Sequence, residues 1–229
     1  MSLPKSSQFN FLDRGNEQTV VLIPGWATDH RIFTHLDLAA NYLVMTSCLP
    51  NDFDSALINA LDEHNIRRAS YLGVSLGGFM AARFAAHHPA RIQELILVSI
   101  REQYPAVDIE QVARYLVKNK KAYLSKFYSQ CFNDECAMGV FERGLFDEYC
   151  NTFELDFLLE TLQYLKEARI EDATLAGLAH VKIIHGASDR IAPCIEAYEL
   201  STRLYNADFM CLPGVGHFPF LAPGFSQMI

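Results

Sequence analysis

The stretch YLGVSLGGFMAAR, residues 71–83, joins an apolar run to a helix-like run through a serine set between glycines. ASYLGVS (69–75) has strand character, and LGGFMAARFAAHHPARI is an alanine-rich helix that should stop before Pro89. In GVSLG, a sharp strand-to-helix turn would force Ser75 into a strained backbone conformation, and Gly73 and Gly77 would remove the Cβ atoms that clash with it. The hydroxyl would then stand clear of the sheet at a helix N-terminus, whose dipole favours developing negative charge. A small residue in a tight turn fits the same five letters, so the rest of the chain has to decide.

Outward from this turn, strand-like and helix-like segments alternate. TVVLIP (19–24) and YLVMTSCLP (42–50) read as buried strands. SALINALDEHNI (55–66) has helical apolar spacing, with Ser55 placed to cap it. ELILVSI (94–100) is again a strand. The alternation resumes at HVKIIHGASD (180–189), the helix-like CIEAYELSTRLY (194–205) and the strand-like ADFMCLP (207–213). Such alternation predicts an α/β fold with a mostly parallel sheet and right-handed crossovers. Between them, 102–175 reads as an all-helical insertion, leaving 1–101 and 176–229 as the core. Twelve aromatic residues lie between Tyr104 and Tyr164, a density suited to a lid over an apolar pocket, although rings that only glue helices together give the same count.

With 229 residues, half of them hydrophobic, the chain can build one good core. A net charge of −8 argues against a nucleic-acid backbone as partner. The six cysteines, at 48, 131, 136, 150, 194 and 211, form no CxxC pair and no common zinc spacing, so they read as reduced, mostly buried thiols. MSLPKSSQFN lacks the apolar core of a secretory signal, and no run of about 18 apolar residues exists to span a membrane. The expectation is a soluble, cytoplasmic protein.

A serine hydroxyl needs a base within hydrogen-bond reach, itself oriented by a third group. Among the eight histidines, His87 and His88 suit a helix C-terminus, His30, His35, His64 and His180 lie in polar or loop-like contexts, and His185 ends a strand in a packing position. His217 differs: GVGHFPF follows the last predicted strand and frames the imidazole with Gly214 and Gly216. Loops at strand ends face the crevice where open α/β sheets bind ligands. The carboxylate candidate is Asp189 in HGASDRIAP, just beyond VKII; a helix-capping turn residue is its plainer reading, and Asp172 is a poorer candidate. Oxyanion donors would be the backbone N–H of Leu76 and that of Trp26 in PGWA (24–27), after TVVLI.

Together, GVSLG, HGASDRIAP and GVGHFPF, in the order serine, aspartate, histidine, resemble the α/β-hydrolase superfamily across nearly the whole chain. PGWATD, YLGVSLGG and a short helical cap are most similar to the biotin-pathway, BioH-type esterases, which remove a methyl ester from a pimeloyl chain on acyl carrier protein. The resemblance implies Ser75, Asp189 and His217 as the triad, Trp26 and Leu76 as oxyanion and substrate contacts, and KFYSQ (126–130), with Phe127, Tyr128 and Gln130, as lining of an acyl tunnel. Acyl transfer by such a triad requires no metal or organic cofactor. Three departures stand out: Pro24 replaces the usual histidine before the oxyanion-loop glycine, SCLPNDFD (47–54) replaces the usual Asp-x-Pro-Gly-x-Gly-x-Ser loop, and FSQMI leaves little of a final helix.

An acyl carrier protein is acidic, so a carrier-dependent esterase needs a local basic patch. Between 106 and 130, five basic residues stand against two acidic ones. If 111–127 is one helix, Arg114, Lys118 and Lys121 share a face opposite Val112, Leu116, Tyr123 and Phe127, as a merely solvated face also would. The reading is a serine esterase acting through an acyl-enzyme. A thioesterase, lactonase or carbon–carbon hydrolase of the same fold, or a hydrolase-fold ligand sensor, are its rivals.

Overall fold

The computed structural model describes residues 6–47, 49–132 and 139–229, without the side chains of 140–142 and 174. Seven strands form one sheet: β1 (Gln8–Leu12), β2 (Thr19–Ile23), β3 (Asn41–Ser47), β4 (Ala69–Val74), β5 (Ile92–Val98), β6 (Val181–Gly186) and β7 (Ala207–Leu212). Their spatial order is β1-β3-β2-β4-β5-β6-β7, with β1 antiparallel to β3 and every other pairing parallel. Strands β2 and β4 are buried at every residue, Thr19 and Ser70 included, as a sheet covered on both faces requires.

Sequence patterning did not anticipate β1. QFNFL alternates partly buried Phe9 and Phe11 with exposed Gln8, Asn10 and Leu12, a weak five-residue signal that pairing with β3 makes regular. Helix α1 (Phe53–Glu63) begins two residues before Ser55, which does not cap it; the Ser55 hydroxyl donates to Asp52 O. Helix α2 (Leu76–His87) follows β4 without a linker beyond Ser75 and ends before Pro89, where the sequence placed its stop.

Between β5 and β6 the chain forms α3 (Ala106–Gln130), α4 (Val140–Thr152), α5 (Leu155–Glu167) and α6 (Asp172–Ala176). The expected single helix over 111–127 is broken. Asn119 has extended backbone angles, φ −163° and ψ 89°, and its side chain accepts from Ala122 N at 3.0 Å, capping a second helical segment. Arg114 and Lys118 therefore lie on one segment and Lys121 on the next, and all three are exposed. Helix α7 (Cys194–Thr202) packs on β6 and β7.

Cys131 and Cys150 are buried, Cys194 is half-buried and Cys211 exposed; Cys48 and Cys136 lie outside the described residues. Among the described residues no helix is long and apolar enough to cross a membrane.

Candidate active site

Because β2, β4, β6 and β7 run parallel, the loops after them gather at one edge of the sheet, and these loops carry Trp26, Ser75, Asp189 and His217. Ser75 has φ 51° and ψ −114°, a left-handed strained conformation, and its N–H donates to Val98 O at 2.9 Å on the neighbouring strand. A Cβ on Gly73 would sit 2.5 Å from Gly77 O, inside the turn itself. A Cβ on Gly77 would sit 2.3 Å from Ile23 O, so the second glycine also lets α2 approach the end of β2. The turn needs glycine on both sides because backbone passes on both sides.

His217 Nδ1 lies 2.7 Å from Asp189 Oδ2, and both residues are buried. An ionised carboxylate only accepts, so Nδ1 carries the proton in this hydrogen bond. The Asp189 carboxylate takes three further donors. Ile191 N and Ala192 N donate to Oδ1 at 2.8 and 3.0 Å, and His185 Nε2 stands 3.1 Å from Oδ2. Burial alone would raise its pKa, but the charge of His217 and the hydrogen bonds of both histidines outweigh it and hold the carboxyl well below the usual range. His185 thus does more than pack. Its Nε2 also lies 2.8 Å from Ala192 O, closing the loop that holds Asp189.

Ser75 Oγ shares a hydrogen bond of 3.4 Å with the buried Tyr104 hydroxyl, whose pKa burial pushes up. No hydrogen bond from Ser75 Oγ to His217 is formed among the described residues. Tyr104, 29 residues away on the loop after β5, is the site residue that sequence reasoning had noticed only as one ring among twelve. Other histidines are engaged elsewhere: His87 meets Asp54, and His180 meets Glu94 and Asp208.

The Trp26 loop is held by the helices between β5 and β6. The Tyr128 hydroxyl donates to Ala27 O at 2.6 Å, where Ala27 has φ 56°, and Trp26 Nε1 donates to Leu158 O at 3.2 Å. Leu76 heads α2, so its N–H has no intrahelical acceptor. The Trp26 N–H has no backbone acceptor among the described residues.

A cleft of about 170 Å³ holds Ser75 and is lined by Trp26, Tyr104, Ile109, Phe127 and Leu162 together with charged Arg101, Asp108 and Arg190. Arg101 is paired bidentately with Glu196 at 2.7 and 2.8 Å. Trp26 and Leu76 also line a second recess with Met45, Phe153 and Phe157. Of the three cap candidates, only Phe127 faces the Ser75 cleft, its ring edge-on to Trp26 at 5.0 Å. Tyr128 stacks on Phe146 and lines a different recess, and Gln130 lies with Lys118 in an outer groove.

A family model for the alpha/beta hydrolase fold matches residues 45–141. The chain is 28% identical to a pimeloyl-[acyl-carrier protein] methyl ester esterase of Chromobacterium violaceum, over 91% of this chain and 90% of that protein. It is 26% identical to the esterase of the same name from Aromatoleum aromaticum, over 90% and 94%. Among solved structures, the enol-lactonase from Burkholderia xenovorans LB400 superposes with a TM-score of 0.85 at 17% identity, covering 97% of this chain and 94% of that one. The chain has the α/β-hydrolase fold and is similar, along nearly its whole length, to the pimeloyl-[acyl-carrier protein] methyl ester esterases.

Proposed function

We propose that the protein is a serine hydrolase that cleaves a carboxylic ester through an acyl-enzyme. The observation that carries this reading is the strained Ser75 turn on the same sheet edge as a buried Asp189–His217 pair at 2.7 Å. Ser75 Oγ attacks the ester carbonyl while His217 Nε2 takes its proton, and Asp189 holds the imidazole in the tautomer that leaves Nε2 basic. The carbonyl oxygen, now negative, is stabilised by the N–H groups of Leu76 and Trp26. His217 passes its proton to the departing alcohol. Water, deprotonated by the same imidazole, then frees the acid and restores Ser75. Entry of substrate exchanges the long Ser75–Tyr104 hydrogen bond for the bond to His217.

The similarity to pimeloyl-carrier esterases and the apolar residues lining the Ser75 cleft support a methyl ester on an acyl chain as the substrate. Exposed Arg114, Lys118 and Lys121 supply the positive surface that an acidic carrier would meet, and Lys118 lies in an outer groove along α3 with Lys126 and Asp108.

Fluorophosphonate should label Ser75 and no other residue, and Ser75→Ala should abolish p-nitrophenyl ester turnover. Unchanged turnover in that variant rules the mechanism out. Cleavage of pimeloyl-carrier methyl ester, compared with Lys118→Glu and Lys121→Glu, tests the carrier. A rise in KM confined to the carrier-bound ester is expected, and equal rates would remove carrier docking while leaving the esterase intact. Thioester and lactone substrates run alongside decide between this reading and hydrolysis of another acyl bond.

A further inference from the structure

The sulfurs of Cys194 and Cys211 lie 3.0 Å apart, although 17 positions separate them in sequence. Cys194 opens α7, and Cys211 lies on β7 at the edge of the sheet. Their meeting is set by regular structure. One helical turn on from Cys194, Tyr198 meets Phe209, two residues back along β7, with ring centroids 5.5 Å apart. A step of four on the helix against a step of two on the strand keeps both contacts on one helix stripe and one strand face. The thiols are the first rung of this two-rung seam.

We infer that Cys194 and Cys211 are a redox-active pair that two-electron oxidants such as peroxides convert reversibly to an intramolecular disulfide. The sulfurs need to close by only about 1 Å to reach a bond of about 2.05 Å. The division of labour follows from exposure. Cys211 is exposed, so its thiolate attacks a peroxide oxygen; the O–O bond breaks, an S–O bond forms, and one water leaves. Cys194 then displaces the sulfenic oxygen as a second water, with two thiols oxidised and one peroxide reduced in all. Burial, with the contact to Cys211 and the charge of Asp189, pushes the Cys194 thiol up to about 12, which suits a resolving partner that stays protonated until the sulfenic acid forms beside it.

The bond would lie five residues after Asp189 and six before His217, tying α7 to β7 between the loops that carry them. This reading stands independently of the esterase assignment, because its readout is a covalent bond.

Wild-type protein treated with hydrogen peroxide, alkylated with N-ethylmaleimide and digested with trypsin without reductant tests it. The expected product joins IAPCIEAYELSTR (191–203) to LYNADFMCLPGVGHFPFLAPGFSQMI (204–229) with the loss of two hydrogens, and it disappears on adding dithiothreitol. In Cys194→Ser, dimedone should trap Cys211 as a sulfenic acid that wild type does not accumulate. Equal dimedone labelling in the two proteins, over-oxidation of Cys211 beside an alkylated Cys194, or linkage of either thiol to a different cysteine would overturn the pairing.

Discussion

At Asp189, four donors converge on one carboxylate: His217 Nδ1, His185 Nε2 and the N–H groups of Ile191 and Ala192. Asp189→Asn keeps the shape but can accept on one side only. Its amide hydrogens would face donors, and the imidazole of His217 would turn to the tautomer whose Nδ1 accepts and whose Nε2 is protonated. On the proposed mechanism the base is then lost. Ester turnover is expected to fall about 10,000-fold, as loss of the orienting carboxylate does in serine triads. Stability should fall by about 1–3 kcal/mol from the mismatched donors. The carboxyl is held below its unfolded value, so its ionised form stabilises the fold above the ordinary carboxylate pKa of about 3.9. That stabilisation is lost as pH falls from there toward the depressed value. Urea midpoints of wild type and Asp189→Asn should therefore converge as the pH is lowered below about 4. A gap that stays constant between pH 7 and pH 3 would mean that the charge on Asp189 carries none of it.

At the scale of elements, the contact between α2 and the end of β2 decides where the Trp26 loop lies. The Cβ of Gly77→Ala would fall 2.3 Å from Ile23 O and 2.6 Å from Pro24 O, both backbone atoms, so the helix or the strand must move. A loss of about 1–3 kcal/mol is expected, together with slower ester turnover because Pro24 leads into Trp26. Gly144→Ala is the contrast. Its Cβ would meet nothing within 4 Å on an exposed face of α4, and it should gain about 0.5–1 kcal/mol of helix stability. Thermal midpoints that move the same way in both variants would contradict the contact. Patterning in the chain tracks this scale unevenly. The runs at 19–24, 69–75, 94–100 and 180–189 were legible as strands because apolar, often β-branched residues run through each of them, as the interior of a sheet covered on both faces requires. QFNFL was not, because an edge strand with one wet face has half the signal. The break at Asn119 was hidden by KNKK, whose lysines are good helix formers, and it is marked by the extended backbone of Asn119 and its side-chain bond to Ala122 N. Likewise, Asp189 and His217 lie on strand-end loops that the sequence marks, whereas Tyr104 reaches Ser75 across 29 residues through tertiary placement alone; His185, four residues before Asp189 in HGASD, reads from the sequence as a packing residue because nothing in the spacing tells a carboxylate contact from a buried strand end.

Across the whole molecule, the helices between β5 and β6 are bonded to the rest of the chain at the loops that carry the candidate site. Tyr128 donates to Ala27 O, Trp26 donates to Leu158 O, Tyr149 donates to Asp29 Oδ1 at 2.7 Å, and His217 N donates to Cys131 O at 2.7 Å. Both the Trp26 loop and the His217 loop thus lean on the insertion, and its removal would release them together. The two tyrosines separate this positioning from bulk stability. Asp29 retains Arg31, which donates through Nε and Nη2, when Tyr149→Phe removes one donor, so a small stability loss and near-normal turnover are expected. Tyr128→Phe instead leaves Ala27 O, at a left-handed backbone position, without its buried donor. It should cost about 1–3 kcal/mol and, because Trp26 is the preceding residue, lower kcat for p-nitrophenyl esters well beyond Tyr149→Phe. Denaturant midpoints and steady-state rates on the two single variants make the comparison. Equal kcat in Tyr128→Phe and Tyr149→Phe would show that the cap covers the site without holding its loops in register.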